Sequence, residues 1–116
     1  WGVVDQWYER LAAGFLGRRY RHPIWESFEH RAAPTAVGVI PNDFYGPGMA
    51  GRILLGGFVE TGVRQFTLDD ATRSLATGHG FFLDKIVTTV DMQFDATGRL
   101  YILTMNALYR VDPDTI

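Results

Sequence analysis

Cysteine is absent from this 116-residue chain, which excludes disulfides and thiolate metal sites and leaves the compartment open. Long apolar runs are missing too: none reaches the roughly 18 to 20 residues that a spanning helix requires. A net charge of −2 provides no basic face for nucleic acid and no polybasic stretch for anionic lipid. Neither a signal peptide nor an initiating Met precedes Trp1, so the chain reads as processed or as the ordered part of something longer. The three histidines, His22, His30 and His79, lack the i, i+4 spacing of a helical metal site. Ser27 and Ser74 lie in no nucleophile elbow, and no glycine motif is built to cradle phosphate.

What is present is ordinary globular composition, with 47% hydrophobic and 21% charged residues, enough for one domain with a core. Aromatics at 14% are spread along the chain, as suits broad β surfaces. The one helix candidate is Trp1 to Leu16, where Val4, Trp7, Leu11 and Phe15 recur at helical spacing and Tyr8 widens the stripe. Gly14 and Gly17 weaken and end it. Such a face packs on its own domain, docks a partner, or lies on a membrane surface. Arg18, Arg19 and Arg21 form a small basic cluster diluted by Glu26 and Glu29. Pro23 to Phe28 reads as extended, and residues 1–34 as a helix plus linker.

From 35 to 116 the pattern is β. Thr35 to Ile40, Arg52 to Phe58 and Val63 to Leu68 read as short strands, with a loop rich in turn residues between the first two. Gly56-Gly57 marks a bulge or a close backbone approach. The stretch through Gly78-His79-Gly80 and Phe81-Phe82 reads as a loop, with flanking glycines exposing the His79 ring. Val90 to Phe94, Leu100 to Leu103 and Leu108 to Val111 form a second meander, closed by Asp112-Pro113-Asp114. Asp69-Asp70, Asp112 and Asp114 lack the pattern of a calcium loop and read as turn caps.

The two meanders correspond. Gly51-Arg52-Ile53-Leu54-Leu55 matches Gly98-Arg99-Leu100-Tyr101-Ile102, 47 residues on. Phe66-Thr67-Leu68-Asp69 matches Tyr109-Arg110-Val111-Asp112, 43 residues on. A repeated strand–turn–strand–turn–strand unit of about 40 to 50 residues is the sequence form of a propeller blade; two unrelated hairpins of a small barrel or sandwich are the alternative. The expected fold is therefore all-β, a partial β-propeller of about two antiparallel blades with a short N-terminal helix. Two blades cannot close a ring, so apolar sheet faces stay uncovered unless the N-terminal helix, Trp25 and Phe28, or another subunit caps them.

The residues His30-Arg31-Ala32-Ala33-Pro34-Thr35, Gly51 to Gly56, Val87 to Tyr101 and Leu108 to Pro113 together resemble the C-terminal blades of the glucose/sorbosone dehydrogenase family. That resemblance spans Pro23 to Pro113 and implies a six-bladed, usually exported propeller that binds pyrroloquinoline quinone with calcium and oxidises sugars. The family's catalytic histidine and calcium ligands belong to earlier blades that have no counterpart in this chain. Members place cofactor-contacting arginines just before the inner strand of the last blades. This chain has Lys85 to Asp91 there without an arginine, and a cofactor with several carboxylates needs such cations.

The leading expectation is a non-catalytic interaction or stabilising module of a larger assembly, with no catalytic, cofactor-binding or metal residue in this chain. Its contact anchors are expected at Trp1, Trp7, Tyr8, Trp25 and Phe28, since large aromatics dominate interface energetics. The alternative is a fragment of a quinone-dependent sugar dehydrogenase whose catalytic blades lie elsewhere, with pyrroloquinoline quinone and calcium bound in the intact protein. Expected partners are other subunits or missing blades, with peripheral membrane contact left open and no nucleic acid. A periplasmic or extracytoplasmic location follows from the resemblance alone.

Overall fold

A computed structural model describes residues 33–68 and 76–116, with only the backbone at His79. The helix expected over Trp1 to Leu16, and the five aromatic anchors, lie outside the described residues. Residues Ala32–Ile116 form one compact unit, so its first residue falls three positions before the boundary read at Thr35.

The unit is all-β and antiparallel. Strands β1 (Pro34–Val39), β2 (Ile53–Gly57), β3 (Gly62–Leu68) and β4 (Ala76–Asp84) form one four-stranded sheet in sequential order. Strands β5 (Thr89–Phe94), β6 (Leu100–Thr104) and β7 (Leu108–Arg110) form a second, three-stranded sheet. A short 3-10 helix, Pro113–Thr115, follows. The β period explains the pattern: alternate residues reach opposite faces, so each strand offers an apolar set to one neighbour.

One element departs from the sequence reading. Gly78-His79-Gly80 lie inside β4, a 9-residue strand, where a loop was expected. Its partner holds it. Val63 pairs with Leu83, Arg64 with Phe81 and Gln65 with Gly80, with register shifts on either side. Gly78 takes φ 74°, which glycine adopts without a Cβ penalty, so the strand bends and continues.

The two sheets repeat one another in backbone detail. In each, a β-bulge sits at the start of the first strand, between Pro34 and Ala36 and between Thr89 and Asp91, and Thr89 stands 55 residues after Pro34. The residue just before each first strand has positive φ, Ala33 at 45° and Thr88 at 55°. Ile40 N donates to Arg52 O at 2.9 Å, and Asp95 N donates to Arg99 O at 2.9 Å. Gly51 and Gly98 open the middle strands at φ 87° and 98°. The third strands align differently from the sequence match. Phe66 pairs with Ile53 and Val111 N bonds Leu100 O at 2.9 Å, so Val111, 45 residues on, is the counterpart of Phe66.

The core lies between the sheets, where β1 and β2 pack on β5. Ala36, Leu54, Val63 and Leu83 from the first sheet meet Met92, Leu100, Ile102 and Val111 from the second, all buried. Glycine sets the separation. A Cβ built on Gly56 would stand 2.6 Å from Thr89 Cγ2, and one on Gly38 would stand 3.0 Å from the Phe94 ring.

Candidate interaction faces

The strand pairings assign every side chain to a face. In the first sheet Ala36, Gly38, Leu54, Gly56 and Val63 look inward, so Val37, Val39, Ile53 and Leu55 look outward. In the second sheet Met92, Phe94, Leu100 and Ile102 look inward, so Asp91, Gln93, Tyr101, Leu103, Leu108 and Arg110 look outward. Both outer faces keep large apolar side chains in water. Val37 and Val39 are 65% and 56% exposed, and the cross-strand neighbours Leu103 and Leu108 are 42% and 68% exposed. Single exposed aliphatics are ordinary; adjacent ones on a flat strand pair form a patch.

The repeat fixes the sense of the stacking. Ile53 and Leu55 correspond, 47 residues on, to Leu100 and Ile102; Val37 and Val39 correspond, 55 residues on, to Met92 and Phe94. The outward residues of the first sheet are therefore the counterparts of the inward residues of the second. The sheets stack front to back, as successive members of a series do, rather than front to front as in a closed two-sheet sandwich. The outer face of the first sheet also carries Phe66, cross-strand from Ile53 and buried at 3% exposure.

The loop 41–51 fastens one end of the stack. Asn42 Nδ2 donates to Thr97 O at 3.1 Å, while its Oδ1 accepts from Phe44 N at 3.0 Å. Ala50 N donates to Asp43 Oδ1 at 2.8 Å. Tyr45 reaches across the core: its hydroxyl donates to Val111 O at 2.8 Å and accepts from Leu100 N at 2.7 Å. Burial pushes its pKa above the ordinary phenol value, the bond from Leu100 N opposing that. Its ring stands edge-on to Phe82, centroids 5.3 Å apart. At the other end Thr35 Oγ1 donates to Thr89 O.

The second turn is organised by Asp95, whose Oδ1 accepts from Thr97 N at 2.9 Å, Thr97 Oγ1 at 2.6 Å and Arg99 N at 3.0 Å. The Thr97 hydroxyl, above all, holds its carboxyl below the usual carboxylate range. Asp112 pairs with Arg110 at 3.1 Å and lies 3.7 Å from Arg99 Nε. It therefore binds arginine with its side chain, and caps the following turn with its carbonyl, which accepts from Thr115 Oγ1 at 2.6 Å.

Among the described residues the four arginines lie beside groups of the chain itself. Arg64 Nε lies 2.8 Å from the buried Glu60, Arg110 is held by Asp112, and Arg99 sits between Asp112 and the Phe44 ring. Arg52 Nη1 donates to Gln65 Oε1 at 2.9 Å on the inward side. No group of three His, Asp or Glu able to hold a metal ion occurs among the described residues. Among them, too, no helix is long and apolar enough to cross a membrane.

The sequence singled out Trp1, Trp7, Tyr8, Trp25 and Phe28 as contact anchors, and all lie outside the described residues. It passed over Val37, Val39, Leu103 and Leu108. A signal for them was there: Val37 and Val39 alternate with Ala36 and Gly38, and Tyr101 and Leu103 alternate with Leu100 and Ile102, so both faces of these strands carry apolar groups. No family model matches the chain, and neither a curated protein nor a solved structure matches it.

Proposed function

We propose that the chain is a pair of propeller-like blades serving as a non-catalytic interaction or stabilising module of a larger assembly. The observation that carries this is the pair of exposed apolar patches, Val37 with Val39 and Leu103 with Leu108, on the outer sides of the two sheets. A stack of this sense has no natural end, because every added sheet renews the outer face. Covering such patches removes exposed aliphatic area from water, worth about 25 cal/mol per Å2, which is the driving force the assembly would use. The resemblance to the C-terminal blades of glucose/sorbosone dehydrogenases supplies the ancestry, and with it a periplasmic or extracytoplasmic setting. The paired arginines support a scaffold role over cofactor chemistry.

The test has two readouts. The chain is incubated with pyrroloquinoline quinone and calcium, then with glucose or sorbosone and an artificial electron acceptor; the expected result is no sugar-dependent reduction, and turnover would overturn the reading. An environment-sensitive hydrophobic dye is expected to bind the dilute chain and to lose that binding in V37E/L103R. Absence of dye binding by the dilute wild-type chain would show the faces covered and would equally overturn it.

One observation favours a second reading. Among the described residues, β3 carries β4 on its outer edge, whereas its counterpart β7 has no strand in that position. A propeller of several more blades would supply one, making the chain a portion of a quinone-dependent sugar dehydrogenase. Intact mass in the source cell separates the two: a species near 13.1 kDa favours the module, and one several times larger favours the enzyme.

A further inference from the structure

We infer that the loop end carrying residues 58–61, 85–88 and 105–107 docks on the zwitterionic surface of a lipid bilayer, with Phe58, Val59, Val87 and Met105 entering the interface. This surface is separate from the outer sheet faces described above.

Strand pairing gathers the three loops at one end. Pro34 pairs with Gly57, Gly62 with Asp84 and Thr89 with Thr104. Phe58, Val59, Val87 and Met105 are between 41% and 67% exposed, and no other described loop between strands carries an exposed large hydrophobic side chain. The opposite end is polar, its turns holding Asn42, Asp43, Asp95, Thr97 and Arg99.

The repeat sets the tips level. Phe58 is the counterpart of Met105, 47 residues on, so both hairpin turns open on a large apolar side chain. Gly38 meets Met92 and Phe94, the two neighbours of its counterpart Gln93. Gly56 meets Thr89 and Met92, and between these lies Asp91, the cross-strand partner of its counterpart Leu103. Equivalent positions therefore stand at the same height along the strands, and the two turns reach one plane, about 10 Å apart as packed sheets are. Apolar side chains on separate, level tips suit a flat occupant that each can enter singly, whereas peptide partners are held in grooves or along sheet edges.

Charge selects the kind of bilayer. Among the described residues, the exposed ionisable side chains of this end are Asp84 and Lys85, neighbours of opposite sign, while Glu60 is buried against Arg64. No net charge is left there for anionic lipid to attract.

The full chain tests this, and its lack of cysteine allows one environment-sensitive fluorophore to be placed at Met105→Cys or, at the polar end, at Ala96→Cys. With phosphatidylcholine vesicles the label at 105 should shift to the blue and be quenched by nitroxide lipid, and the label at 96 should do neither. In vesicle sedimentation, Phe58→Glu and Met105→Glu should each lower the partition coefficient by about tenfold or more, while V37E/L103R partitions like the wild type. Circular dichroism establishes that each variant is folded, and Val59→Glu with Val87→Glu repeats the test should either fail to fold. A folded wild-type chain that does not partition overturns the inference, the tips then facing a protein, and leaves the interaction-module reading to its own dye and turnover assays. Partition lost in V37E/L103R moves the contact to the sheet faces, binding to anionic vesicles alone moves it to basic residues elsewhere, and a response at 96 equal to that at 105 makes it unspecific adsorption; each overturns the inference.

Discussion

Replacing Gly56 with alanine probes the closest approach between the two sheets. The added methyl would stand 2.6 Å from Thr89 Cγ2, 2.9 Å from Thr89 Cβ and 3.2 Å from Met92 Cε. Thr89 is buried and bulged into the core, so it cannot swing aside as a flexible terminus would. Overpacking of this kind costs about 1–3 kcal/mol. Against it, alanine restricts the unfolded chain and returns about 0.4–1 kcal/mol, since Gly56 is not among the glycines at positive φ. Offsetting one by the other leaves a net loss of about 1–2 kcal/mol, and for a unit of this size that is roughly 5–15 °C in Tm. The assay is thermal unfolding followed by far-ultraviolet circular dichroism, with Gly80→Ala as the control because nothing lies within 4 Å of its Cβ position. Thr89→Ala removes Cγ2 together with a buried hydroxyl that has no hydrogen-bond partner. It should relieve the strain, giving a coupling of about 1 kcal/mol in a double-mutant cycle. A Gly56→Ala chain that melts with the wild type, or effects that add without coupling, would refute the packing argument.

Tyr45→Phe strips the bonds to Val111 O and Leu100 N and should destabilise by about 1–3 kcal/mol, since both backbone groups lose their partner; urea unfolding measures it. Because burial raises the Tyr45 pKa, the folded state holds that proton more tightly than the unfolded one. Its contribution is complete below the ordinary value of about 10 and is lost as pH rises through the folded pKa, so Tyr45→Phe should flatten the alkaline limb of stability against pH. Asp95 has the opposite sign. Its pKa is lowered by Thr97, so its contribution is present above the unfolded carboxylate value and is lost as pH falls through the folded one; Asp95→Asn should lower Tm at neutral pH and reduce the acid dependence, and an unchanged acid limb would contradict the assignment.

Period-two alternation, with turn residues between the runs, made six of the seven strands legible in the sequence. The Gly51-Arg52 and Gly98-Arg99 turns anchored the repeat because only glycine takes those positive φ values readily. The third strand was placed two residues out of step, at Tyr109 rather than Val111. A slip of two keeps every side chain on its face, so alternation cannot detect it; only the pairing with Leu100 does. β4 was hidden for a different reason. Its Ala-Thr-Gly-His-Gly start has weak strand preference, and it is a strand because β3 offers it a partner, a non-local fact. The positive φ at Ala33 and Thr88 left no mark in residue type, since neither residue favours that region. The anchors were sought at Trp1, Trp7, Tyr8, Trp25 and Phe28, outside the described residues, whereas Val37, Val39, Leu103 and Leu108 are exposed on β1, β6 and β7.

The central claim is the front-to-back stacking of two equivalent sheets, and nuclear Overhauser contacts across the core measure it most directly. Strong cross-peaks are expected from the Gly56 α-protons to the Thr89 methyl and from the Gly38 α-protons to the Phe94 ring, both through a core that holds Met92 and Ile102. Cross-peaks within one chain from those glycines to Leu103 or Tyr101 would mean that the second sheet presents its other face, and would contradict it.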